Sequence, residues 1–177
     1  MRNKRRVLGL ILAGAVTCAA PAFGHTPYGQ WVVYRQKHLL VGAHRGDGRT
    51  YDLAKAVVAG LERELPAAEA RVARGPRPER IAALMGTGQL FLAVLSTDEA
   101  DRMARAEAPF DRYRPTPVHA LADLGDGYVL FAAPDFPEDH ARLVVQALDH
   151  AGFGPVVSTA SYPVHATALH YWESHRD

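Results

Sequence analysis

Two sets of residues in this 177-residue sequence are of types that could do chemistry. The first is cationic and polar: His44, Arg45, Arg49, Thr50 and Tyr51 come close together, followed by Arg74, Arg77 and Arg80, and then by Ser96, Thr97 and Asp98. Guanidinium groups backed by hydroxyls recognise carboxylate or phosphate through charged, often paired hydrogen bonds, so this set predicts a small anionic solute as ligand. The second set is histidine, nine in all, with His25, His165, His170 and His175 as candidate metal ligands. A chain beginning at His25 would carry an α-amino nitrogen and an imidazole on one residue. That pair can chelate a copper-like or nickel-like ion, so a divalent transition metal is the only cofactor predicted. His165, His170 and His175 recur at a spacing that does not stack on one helix face, and His38, His44, His119, His140 and His150 are scattered. Catalysis has little to stand on. There is no Gly-x-Ser-x-Gly elbow, no His-Glu-x-x-His and no phosphate-cradling loop ending in Gly-Lys-Ser or Gly-Lys-Thr, and the expectation is a protein that is not an enzyme.

Arg2, Lys4, Arg5 and Arg6 precede an apolar run over residues 7–20, which is shorter than the roughly 20 residues a membrane span needs. The pattern predicts a secretory signal over residues 1–24, cut after Ala22-Phe23-Gly24, with the mature periplasmic protein starting at His25. A cut after Ala20 would put Pro21 next to the scissile bond, where its fixed φ hinders the extended pose a peptidase requires. Cys18, the single cysteine, follows the bulky Thr17 and would leave with the signal, so no disulfide, lipid anchor or thiolate site is expected. The four basic residues also account for the formal charge, since a chain from His25 carries −3 rather than +1. A mildly acidic chain argues against nucleic acid or an anionic membrane surface as partner, because both reward clustered positive charge.

The elements needed to position the first set can be read from periodicity. With 48% hydrophobic and 22% charged residues, the chain suits one globular domain over residues 25–177. Apolar runs at 38–43, 70–73 and 90–95 predict strands, and helices are expected from Thr50 to the stop at Pro66 and over 78–85 and 99–105. A connector holding Pro109, Pro115 and Pro117 leads to strands at 118–124 and 128–132 around Gly125-Asp126-Gly127, a hairpin signal. The last long helix is expected over 137–150. Strands alternating with helices imply an α/β three-layer sandwich, with a mainly parallel sheet covered on both faces. The first set would then line the carboxyl ends of the strands, where α/β sheets place their ligands beside a helix N-terminus.

Four stretches carry a family resemblance. Residues 42–54 (GAHRGDGRTYDLA) resemble a glycine-rich loop ending in Thr-Tyr that opens a helix. Residues 75–96 (GPRPERIAALMGTGQLFLAVLS) resemble a helix, a Gly-Gln and an apolar strand in succession. Residues 134–148 (PDFPEDHARLVVQAL) and 162–172 (YPVHATALHYW) are similar to a late Pro-Glu-Asp helix and a terminal Pro-Leu-His-Pro-Gly-Ala segment. In this order they resemble the TAXI-type solute receptors of TRAP transporters, which are type II periplasmic binding proteins. The resemblance implies a periplasmic solute-binding or accessory protein. The chain departs from the family in two ways: the connector over 106–117 stands where the family inserts a second lobe, and the family's Gly-Gly-Thr reads Asp47-Gly48-Arg49-Thr50. A single lobe cannot close over its ligand. The resemblance therefore also implies a cover for the cleft, either a second copy of the chain or a periplasmic transport or enzyme component docked there. The alternative reading is a periplasmic metal-binding protein using His25 and the C-terminal histidines.

Overall fold

The computed structural model describes residues 37–157 and 162–175. The expected signal peptide, its cleavage point and His25 lie outside the described residues. The chain opens on strand β1 (Leu40–His44), every residue of which is buried, and turns through Arg45-Gly46-Asp47 into helix α1 (Gly48–Glu64). The helix begins two residues before the expected Thr50, with Asp47 as the N-cap: its carboxylate accepts the Arg49 N–H at 2.9 Å. Thr50 sits one turn inside the helix, fully buried. Its hydroxyl shares one proton between the carbonyls of Asp47 and His44, at 2.8 and 3.2 Å. Pro66 stops the helix as expected and starts a single 3-10 turn, Pro66–Ala68.

Strand β2 (Arg71–Gly75), helix α2 (Pro78–Gly86) and strand β3 (Leu92–Ser96) follow, and β3 runs straight into helix α3 (Thr97–Arg105) through a capping box. In that box the Ser96 hydroxyl accepts the Glu99 N–H while the Glu99 carboxylate accepts the Ser96 N–H. Strands β4 (His119–Gly125) and β5 (Tyr128–Ala132) form the expected hairpin. Asp126 and Gly127 both have positive φ, 54° and 77°, as a two-residue turn matched to the sheet twist requires. Helix α4 (Glu138–His150) begins with Glu138 and Asp139, acids that complement its dipole. Helix α5 (Ala166–Ser174) is an element the periodicity did not announce.

The strand order is β2-β1-β3-β5-β4. β1 pairs in parallel with β2 and β3, and β5 is antiparallel to both β3 and β4, so four of the five strands point the same way and the sheet is mixed. Alternation along the strands gives each face its own core. Val41, Ala43, Leu92 and Val94 pack against α1, α4 and α5, while Ala93, Leu95, Val129 and Phe131 pack against α2 and α3. The fold is an α/β sandwich of three layers.

Candidate functional site

β1 and β3 are adjacent parallel strands whose following helices leave on opposite faces: α1 joins one core and α3 the other. A crevice opens at such a reversal, beyond the carboxyl ends of the strands. The last residue of β1, His44, points into it and is 1% exposed. From the β3 side, Glu99 reaches back across the crevice and splits its two oxygens. Oε2 accepts the Ser96 N–H at 3.1 Å, and Oε1 lies 3.0 Å from His44 Nε2. Burial would raise the Glu99 pKa, but contact with His44 and the Ser96 N–H together outweigh it and hold the carboxyl below its ordinary value. His44 Nδ1 has no partner, and Gly46 lies over it: a Cβ at that position would stand 3.1 Å away.

The β4–β5 hairpin closes the crevice from the third side. Tyr128 donates its hydroxyl proton to Asp47 Oδ2 at 2.5 Å, which pushes its pKa up to about 12, with burial adding to the shift. Asp126 at the turn receives the Arg49 guanidinium at 2.6 Å, and Gly127 accepts the Thr97 N–H at 2.9 Å. The crevice thus carries three carboxylates of its own, on Asp47, Glu99 and Asp126.

Of the cationic and polar set, His44, Arg49, Thr50, Ser96 and Thr97 come together here. Thr50 and Ser96 spend their hydroxyls on backbone groups. Arg45 is exposed in the β1–α1 loop, with its N–H bonded to the Gly75 carbonyl. Arg74 sits within β2 rather than after it and stacks 4.2 Å above the Tyr51 ring. Arg77 precedes α2 and faces Glu79 at 3.9 Å, and Asp98 pairs with Arg102 at 3.1 Å, so these two turn away from the crevice toward their own helices. Glu99, Asp47, Asp126 and Tyr128 are the residues that motif reading missed. Ser96-Thr97-Asp98-Glu99 does carry the capping-box spacing, which was the available signal for Glu99.

The histidines are placed differently. His165 is buried, caps α5 by accepting the Thr167 N–H on Nδ1 at 3.3 Å, and meets the His119 ring edge-on at 5.8 Å. Burial, with His165 adding to it, lowers the pKa of His119. His170 is exposed, and His175 stacks on Tyr171 at 4.2 Å. Among the described residues no three His, Cys, Asp or Glu side chains gather as a metal site would need, and His25 lies outside them. No helix among the described residues is long and apolar enough to cross a membrane.

In comparison with known proteins, no family model, no curated protein and no solved structure matches the chain.

Proposed function

We propose that the chain is a periplasmic binding or accessory domain, not a catalyst, that takes a small anionic solute at the crevice between the carboxyl ends of β1 and β3. The observation that carries this is the buried, unpartnered Nδ1 of His44 beneath the loop that opens α1, with Arg45 on that loop and Arg49 in the first turn of the helix. A helix N-terminus favours negative charge, and a buried ring nitrogen left without a partner is a polar atom still to be satisfied at this end of the sheet. Asp126 already holds Arg49, but both side chains are at least half exposed. A pair of that kind contributes about 0–1 kcal/mol, whereas a charged hydrogen bond to a ligand contributes about 1.5–3 kcal/mol, so a solute can displace Asp126. Glu99 stays in place, holding His44 in orientation as a ligand would otherwise do. The open crevice also fits the reading of a single lobe that a second copy or a docked component covers.

Calorimetric titration with inorganic phosphate and with short dicarboxylates tests this. Arg45→Ala and Arg49→Ala should each weaken binding by about tenfold or more, while Asp126→Asn, by releasing Arg49, should tighten it. Affinities indifferent to all three substitutions would remove the crevice as the site.

A further inference from the structure

The opposite end of the sheet, where β1 and β3 begin and β5 ends, holds a cavity of about 980 Å³. We infer that this cavity is a second binding site, for an uncharged, largely apolar molecule carrying an aromatic ring. Its walls are apolar and come from four separate parts of the chain: Leu40 entering β1, Leu65 at the end of α1, Leu90 and Phe91 entering β3, and Phe136 and Leu143 on the far side. Phe91 and Leu143 are 38% and 46% exposed, and both line the cavity.

The charge of the occupant follows from the lining. Lys37 and His38 both reach Glu69, at 3.7 and 3.2 Å, and Glu64 is taken by Arg63 and His150, at 2.7 and 3.2 Å. The ionic groups near the cavity are therefore engaged with one another, and Asp135 stands exposed at the rim. A charged ligand would have to displace one of these pairs and bury its own charge against the apolar walls, which is costly. The ring follows from the aromatic wall: Phe91 and Phe136 lie 6.2 Å apart at 37°, and His140 lies 6.1 Å from Phe136. Tilted rings at that spacing accept a further ring edge-on or offset, and His140 supplies a hydrogen-bonding group at the edge. A volume near 1,000 Å³ with apolar walls and few polar groups is that of a small-molecule site.

The probe is the neutral dye N-phenyl-1-naphthylamine, whose fluorescence rises on entering an apolar site, titrated into the full chain. Saturable binding is expected. Phe91→Asp and Leu143→Asp, which alter exposed side chains and so leave the core intact, should each weaken it by at least about tenfold. Val157→Asp, at an exposed apolar residue that does not line the cavity, should leave it unchanged. Tighter binding of the anionic 8-anilinonaphthalene-1-sulfonate than of the neutral dye would overturn the assignment. So would dye binding untouched by Phe91→Asp and Leu143→Asp. Release of a dimer into monomers by the dye would put a second copy of the chain in the cavity instead. Failure of the full chain to bind the dye would also overturn it.

Discussion

Burial alone would raise the pKa of Glu99, so its net lowering measures how firmly the Ser96 N–H and His44 hold the charge. A carboxyl whose folded pKa lies below its unfolded value of 4.5 adds stability that is complete above that pH and is lost as the pH falls through the lowered folded value. Glu99→Gln should therefore destabilise the protein by about 1–2 kcal/mol near neutrality, with the deficit shrinking on acidification below pH 4.5. Urea denaturation of both proteins across that range checks it, and a deficit that persists undiminished down to about pH 3 would sink it. Tyr128 works at the other end of the scale. Its pKa rises from 10.0 to about 12 in the fold, so the stabilising contribution is whole below pH 10.0 and drains away as the pH climbs toward 12. Tyr128→Phe should remove that part of the alkaline loss, which thermal melts between those two pH values would register. Neither residue could be tied to His44 or Asp47 from spacing, because one contact joins α3 to β1 and the other joins β5 to the β1–α1 turn.

At the level of elements, a close fit lies between α1 and the end of α4. A Cβ on Gly60 would stand 2.9 Å from the Cβ of Ala151, just past the end of α4, and neither atom can swing aside. Alanine gains about 1 kcal/mol over glycine in a helix interior, whereas overpacking a tight contact costs about 1–3 kcal/mol, so the clash should win. Gly60→Ala is expected to lower the denaturation midpoint, and a raised midpoint would mean that the helices part more easily than their packing suggests. Most elements were legible because their signals are local: unbroken apolar runs for β1 and β3, Pro66 as a stop, Gly125-Asp126-Gly127 as a turn. α5 was not. Its cap is His165, a residue seldom found in that role, and only Ala168 and Trp172 among its residues are buried, too short a stripe to show as periodicity. What fixes it is tertiary: the Trp172 ring N–H donates to the Leu121 carbonyl at 2.9 Å, and Tyr171 donates to Asp149 at 2.7 Å.

Across the whole molecule, apolar patterning announced the three layers, since central strands buried on both faces must read as continuous hydrophobic sequence. The crevice was legible only as a location. That ligands gather at the carboxyl ends of such strands follows from topology, but Glu99 filling the gap and Asp126 taking Arg49 depend on where a distant hairpin falls. The same topology sets a gradient of stability. β1, β3 and β5 each have a strand on both sides and helices above and below, and Val41, Ala43 and all of β3 but Ser96 are fully buried or nearly so. β2 has, among the described residues, a neighbour on one side only, and Arg71 and Arg74 are exposed. In register with β1, the Arg71 N–H bonds inward to the Leu39 carbonyl, so the alternate amides of Val72 and Arg74 face outward. Native-state hydrogen exchange should then separate the strands. Amides of β1 and β3 should exchange only through global unfolding, and the outward amides of β2 through local opening at far lower cost. Equal protection on Val72 and Arg74 would mean that some other segment or a partner chain pairs with the β2 edge, and the edge would then have to be counted as an interface.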